Sequence, residues 1–291
     1  MQNEKLKLKP GKLILDILLL NCIGWPIYFL NEWSEPFKRG FFCEDTSLQF
    51  PLVESSTIPG WAVYYLAGIG GVCGIITITE FLARPRGKQD YSLLCLRIPN
   101  WIYNLYCVIG VYAYGAVFTR LTVNVLKLSG ILRPTFLTLC KPDVCKGQFP
   151  PFQYHEEYTC TDLNYQYRKS WRFSFPSGHS TISMYMMIFL ALYLQKRVSW
   201  SGSKLLKHFL QSVALLFSLF VGVTRVGTYK HHGSDVICGW IIGGVIALHF
   251  SSCKQLGSCL NLIQICSNDV LSPIETFSNA DAQTLTRTVQ T

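Results

Sequence analysis

Charge is what this sequence has least of. Asp, Glu, Lys and Arg make up only 15% of its 291 residues, against about a quarter in an average soluble domain. With a mean hydropathy of +0.26, that scarcity excludes a disordered chain and argues against an ordinary cytosolic enzyme. Acidic residues are the scarcer sign, 17 against 26 Lys and Arg, a net charge of +9. No nucleic-acid-binding motif accompanies the surplus, and the basic residues sit between apolar blocks. It therefore suits anionic lipid or phosphate and not nucleic acid. The sequence also lacks an internal repeat, an Asn-x-Ser/Thr acceptor and any zinc-ligand spacing. Twelve cysteines are present, but Cys140 and Cys145 are too far apart for a metal hairpin and no Cys/His pair completes one. Cys22, Cys73, Cys95, Cys107 and Cys238 lie in or beside apolar runs, where cysteine packs as a small apolar residue. Cys43, Cys140, Cys145 and Cys160 lie in polar loops and are disulfide candidates in an oxidising compartment, with their pairing open.

Long apolar runs are what the chain does have. Six approach the roughly 20 residues a membrane helix needs: Leu13–Leu30, Trp61–Ala83, Trp101–Thr119, Ser180–Gln195, Leu205–Val223 and Val236–Phe250. They predict an all-α polytopic membrane protein with six transmembrane helices. Residues 1–12 form its N-terminus, 13–253 the six-span domain and 254–291 a polar, disordered tail. The first run follows several lysines but precedes no small-residue cleavage site, so it reads as an uncleaved anchor. Arg84, Arg86, Lys88 and Arg97 fill the second connection, and Lys196, Arg197, Lys204 and Lys207 the fourth. By the positive-inside rule these short loops and both termini are cytosolic. The long third connection is also basic, so the orientation rests on the short loops.

Three polar clusters stand at span ends: Arg133-Pro134 after span three, Pro176-Ser177-Gly178-His179 before span four, and Arg225, His231 and Asp235 before span six. In a chain that alternates in and out, all three fall on the non-cytosolic face. Arg-Pro commonly marks a helix end and Pro-Ser-Gly a turn, so each cluster alone is weak. Together they describe a phosphate site. Two guanidinium forks match phosphate oxygens. Ser177 and Gly178 precede a helix, whose free N–H groups attract an anion. Two imidazoles supply a nucleophile and a proton donor. Four residues apart on an opening helical turn, His231 and Asp235 share a face, which predicts that the carboxylate holds one ring nitrogen protonated.

These motifs resemble the three signatures of the type 2 phosphatidic acid phosphatase superfamily, and within it the animal lipid phosphate phosphatases that include the insect wunen proteins. Lys38-Arg39-Gly40-Phe41-Phe42-Cys43, Ala191-Leu192-Tyr193-Leu194-Gln195 and Tyr229-Lys230-His231-His232 are also similar to that subfamily. The resemblance covers about residues 12–253. It implies His231 as a nucleophile forming a phosphohistidine, Asp235 as its support and His179 as the donor to the leaving alcohol. Arg133, Ser177, Gly178 and Arg225 would bind the phosphate. It implies no cofactor and no metal. The implied substrates are phosphatidate, lysophosphatidate, ceramide 1-phosphate and sphingosine 1-phosphate. The site would face the exterior or lumen, in the plasma membrane or alternatively the endoplasmic reticulum or Golgi. Members commonly associate, which implies a homo-oligomer.

The chain departs from the family pattern at two positions. The family lysine seven residues before the motif arginine falls on Leu126, and the nearest lysine is Lys127. One residue turns a helix by about 100°, so on a helical register Lys127 points away from the phosphate. A long flexible stem or a local bulge would recover the contact and keep Lys127 a candidate phosphate ligand, and its loss is expected to weaken turnover modestly at most. Thr224 replaces a family serine, and either supplies a hydroxyl. The weakened first motif keeps a second reading open, an inactive relative serving as a membrane lipid-binding or partner protein. A lipid-phosphate transporter would need charges inside its spans, and almost none are present.

Overall fold

The computed structural model describes residues 7–8, 10–53, 57–82, 91–93, 96–146, 152–161, 172–198 and 204–252. The tail 254–291 and the basic residues Arg84, Arg86 and Lys88 lie outside the described residues. The chain is mostly helical: α1 (Pro10–Glu32), α2 (Ala62–Leu82), α3 (Asn100–Lys127), the short α4 (Phe136–Cys140), α5 (Gly178–Arg197), α6 (Lys204–Gly227) and α7 (Gly233–Phe250). Among the described residues five helices, α1, α2, α3, α6 and α7, are long and apolar enough to cross a membrane. The run expected to form the fourth span is the 20-residue helix α5, which is less apolar than the rest and is not among these five. The reason is its place at the centre of the bundle, packed against α2, α3, α6 and α7. A helix wrapped by other helices can carry Ser180, Thr181 and Ser183 fully buried, because protein partners satisfy them. Ser183 Oγ meets Ser218 Oγ of α6 at 3.1 Å, and Thr181 Oγ1 donates to the Ser177 carbonyl at 2.9 Å.

The core follows α5. Ile182, Tyr185, Met186, Phe189, Leu190 and Tyr193 pack with Val63, Val72 and Ile76 of α2, Val108 and Tyr112 of α3, and Ile246 and Phe250 of α7. Helix α2 winds as a π-helix over Ala62–Cys73 and as an α-helix over Gly74–Leu82. Among the described residues helix α1 buries none of its side chains and rests chiefly against α3. Asn124 donates to Asn31 at 3.1 Å, and Tyr106 donates to Asp16. Its exposed Ile14, Leu15, Leu18, Trp25 and Phe29 suit a lipid solvent. At the far end of the bundle Glu80 is fully buried, gripped by Arg197 through two 2.8 Å bonds and by the Tyr193 hydroxyl at 2.8 Å. A buried carboxylate persists only when its oxygens are satisfied in this way.

A small cap covers the other end. Phe41–Phe42 pairs antiparallel with Tyr154–His155. Phe41, Leu48, Leu132, Phe136 and Cys140 form a second core there. Two disulfides, Cys43–Cys145 and Cys140–Cys160, knit it, which settles the pairing among the four loop cysteines.

Two glycines on α7 set its distance from α5. A Cβ at Gly239 would lie 2.9 Å from Thr181 Oγ1 and 3.0 Å from the Ser177 carbonyl oxygen, and one at Gly243 would lie 2.2 Å from the Thr181 carbonyl oxygen. This is a small-xxx-small contact, in which missing side chains let two backbones touch. Gly243→Ala therefore forces α7 off α5. We expect it to lower stability by about 1–3 kcal/mol, read as a drop in the thermal unfolding midpoint in micelles. Gly110→Ala meets nothing within 4 Å and should leave that midpoint no lower.

Candidate active site

The contact of α5 and α7 joins two of the three polar clusters directly. The Ser177 amide donates to the Asp235 carbonyl at 3.1 Å. The third cluster arrives through the loop after α3. There Gly130 takes a positive φ of +68°, and a Cβ would stand 2.0 Å from the Phe37 carbonyl oxygen, so only glycine fits this reversal. The Ser174 amide then donates to the Ile131 carbonyl at 3.0 Å, and the Phe50 amide to the Pro134 carbonyl at 3.0 Å. Arg133 is thus held between the cap and the segment leading into α5.

His231 is 6% exposed. Its Nδ1 lies 2.7 Å from the Ser174 carbonyl oxygen. A carbonyl only accepts, so Nδ1 carries the proton and the Nε2 lone pair is left for an electrophile. The spacing of His231 and Asp235 predicts this role for the carboxylate, but the Asp235 Oδ2 to His231 Nδ1 distance is 3.9 Å. That carboxylate instead accepts from Ser174 Oγ at 2.5 Å and from the His232 amide at 2.9 Å, with His232 Nδ1 at 3.3 Å. The amide contact is half of a capping box that opens α7. Ser174 thus contacts both groups, Asp235 through its hydroxyl and His231 through its carbonyl. Sequence reasoning missed Ser174, which has no motif spacing; its only signal was a polar residue three before Ser177.

Lys127 is the last residue of α3, and the chain to Arg133 is turn and loop. Helical register therefore does not apply across that interval. Lys127 Nζ lies 3.9 Å from where a Cβ on Gly178 would stand, so the ammonium faces the N-terminal turn of α5. Thr224 turns its hydroxyl back to the Val221 carbonyl at 2.7 Å, into its own helix. Ser177 is buried and its Oγ accepts from Ser180 Oγ at 2.9 Å, which leaves its own proton to donate. Gly60, at the entry to α2, closes on His179: a Cβ there would be 3.6 Å from Nε2. Arg225 donates to the Ile58 carbonyl.

The electrostatics are those of a dry, cationic pocket. Burial lowers the Arg133 guanidinium to about 10, with Asp235 opposing the fall and Arg225 adding to it. Burial also holds the His231 imidazole well below its ordinary range, reinforced by the charges of Arg133 and Lys127, against the bond to Ser174. Arg133 Nε, His179 Nε2 and Arg225 Nε are buried without hydrogen-bond partners. A buried donor left unmet costs about 1–3 kcal/mol, and an oxyanion among these three groups would offset that cost. Among the described residues, no three His, Cys, Asp or Glu side chains converge to hold a metal ion.

A helical bundle with apolar outer faces, carrying an anion site at its helix ends, defines an integral membrane protein that handles a phosphorylated ligand. The chain belongs to the PAP2 superfamily, whose profile matches residues 92–257. It is 39% identical over 250 residues to a Drosophila melanogaster protein described as a putative phosphatidate phosphatase, spanning 80% of this chain and 66%, just under two thirds, of that one. It is 36% identical over 240 residues to phospholipid phosphatase 1 of Rattus norvegicus, covering 81% and 82% of the two chains. With phospholipid phosphatase 2 of Homo sapiens the identity is 32% over 241 residues, covering 80% and 79%. No solved structure matches.

His231 gives this site a direct spectroscopic signature. The unfolded chain binds the imidazole proton near pH 6.5 (about the ordinary value), whereas the folded chain binds it only at lower pH. Stability from this group is therefore unaffected above that range and falls as the pH drops below it. Nitrogen NMR of histidine-labelled protein in micelles at about pH 6 should show His231 neutral with its proton on Nδ1. A charged ring at that pH would contradict the site geometry.

Proposed function

We infer that the chain is a lipid phosphate phosphatase that works through a phosphohistidine at His231. The observation that carries this reading is the free Nε2 of a neutral imidazole, whose Nδ1 proton is bound to the Ser174 carbonyl, beside the charges of Lys127 and Arg133. Lys127, Arg133, Arg225, Ser177 and the first N–H groups of α5 hold the phosphate oxygens. His231 Nε2 attacks phosphorus, the bond to the lipid oxygen breaks, and His179 gives that oxygen a proton. Water then attacks the phosphohistidine, His179 takes its proton back, and inorganic phosphate leaves. Phosphoryl transfer asks chiefly for positioning and charge stabilisation, and the cations supply the charge. Asp235 fixes Ser174 and so the tautomer of His231.

Phosphatidate, lysophosphatidate, ceramide 1-phosphate and sphingosine 1-phosphate share the phosphate monoester this pocket fits. Six crossings, with α5 as the fourth and both termini cytosolic, bring the site to the exterior or lumen, and the plasma membrane suits such substrates. The two disulfides support that orientation, because they tie the cap next to Arg133 and persist in oxidising compartments.

Membranes carrying the protein should release phosphate from lysophosphatidate at a rate unaffected by a metal chelator, while His231→Ala abolishes release with expression intact. Equal release by both proteins overturns the enzymatic reading in favour of a lipid-binding protein. Lys127→Ala tests the loop geometry separately. With Nζ facing Gly178, kcat/KM should fall at least about tenfold, approaching the loss from Arg133→Ala, and not by the modest factor a helical register implies.

A further inference from the structure

The chemistry above leaves one buried-face cation unused. The Arg120 Cα lies on α3 seven residues before Lys127, about 10 Å deeper along the helix, so its side chain rises to the pocket from the deeper side. Its Nη1 lies 3.6 Å from the Cβ position of Gly178, on the same side as Lys127 Nζ at 3.9 Å. Nη1 donates to the Tyr64 hydroxyl at 3.1 Å, and the guanidinium sits 5.9 Å from the Tyr64 ring centre. Tyr64 is one turn after Gly60, which abuts His179. Among the described residues no carboxylate forms an ion pair with Arg120. A guanidinium carries five donors, and a cation at bilayer depth is expensive unless polar groups meet it.

The position along α3 says which part of a ligand would do so. The phosphate sits at the outer end, among Lys127, Arg133 and Arg225, and the acyl chains lie in the bilayer. The atoms that join them fall on the deeper side, where Arg120 stands. His179, which protonates the leaving oxygen, lies close by. We propose that Arg120, oriented by Tyr64, is a specificity-determining residue that hydrogen-bonds oxygen on the carbon next to the phosphate-bearing carbon of the lipid, and that its charge disfavours an ammonium at that carbon. This rests on the phosphatase reading. It ranks glycerol-based lipids, which carry a hydroxyl or ester oxygen there, above sphingosine 1-phosphate, which carries an amine.

The test compares purified wild type, Arg120→Gln, Arg120→Lys, Tyr64→Phe and His231→Ala on three substrates: lysophosphatidate, sphingosine 1-phosphate and dodecyl phosphate, which has no substituent at that carbon. In Arg120→Gln the ratio of kcat/KM for lysophosphatidate over dodecyl phosphate should fall about tenfold. The ratio for sphingosine 1-phosphate over lysophosphatidate should rise. Tyr64→Phe should move the first ratio the same way by a smaller factor. Arg120→Lys, which keeps the charge but loses the planar fork, should lower the first ratio and leave the ratio for sphingosine 1-phosphate over dodecyl phosphate unraised, and it carries the test if Arg120→Gln does not fold. Equal losses on all three substrates would assign Arg120 to the phosphate or to the fold, and unchanged ratios would remove it from recognition. Either result overturns the proposal while the phosphatase stands. Wild type no faster than His231→Ala on every substrate would instead overturn the phosphatase reading itself.

Discussion

Everything at the polar end of this molecule depends on how closely α7 lies against α5. Gly239 and Gly243 leave backbone facing backbone, and the Ser177 amide reaches the Asp235 carbonyl across the gap. Those contacts place the start of α5 beside the start of α7. Each helix then delivers its polar cluster to the same spot. Moving the helices apart by the width of one methyl group would separate His231 from the Ser174 carbonyl that fixes its tautomer. Packing density and chemistry are thus one constraint, since close-packed interiors transmit small displacements without absorbing them.

The same compactness explains how the cations are tolerated. Lys127, Arg133, Arg225 and Lys230 crowd one end of the bundle, where Asp235 is the carboxylate that opposes the burial of Arg133. Burial and mutual repulsion lower the affinity of Lys230 for its proton through Arg225 and Arg133. Such a cluster is unfavourable by itself, and a dianionic ligand relieves it. On the proposed reading, part of the binding strength comes from the relief of repulsion between these charges.

Much of this was legible in the sequence, and the failures have identifiable causes. The helices were readable because lipid demands long apolar runs, and α5 blurred because its neighbours are protein and not lipid. The three clusters are readable as a group because each stands at the end of an apolar run, and the contact of α5 with α7 brings two of them together directly. The facing of Lys127 is not legible from helical geometry, because α3 ends at that residue and the loop beyond it reverses at Gly130. Ser174 was invisible because it acts through its carbonyl, a group every residue has. The pairing of Cys43 with Cys145 and Cys140 with Cys160 depended on two loops that are distant in sequence and meet only in the cap. The bond between Glu80 and Arg197 was hidden for the same reason, with its partners separated by two spans.

The Cys43–Cys145 bridge joins residues 102 apart and so closes a ring of chain that contains the whole of α2 and α3. A force applied at the two termini would run through the sulfur bridge and bypass everything inside it. About 350 Å of polypeptide, taking roughly 3.3–3.6 Å per extended residue, is withheld from extension until a reductant opens the ring. Under tension in an oxidising medium, α1, α5, α6 and α7 would unravel as separate strings tied to a knot that keeps its own length.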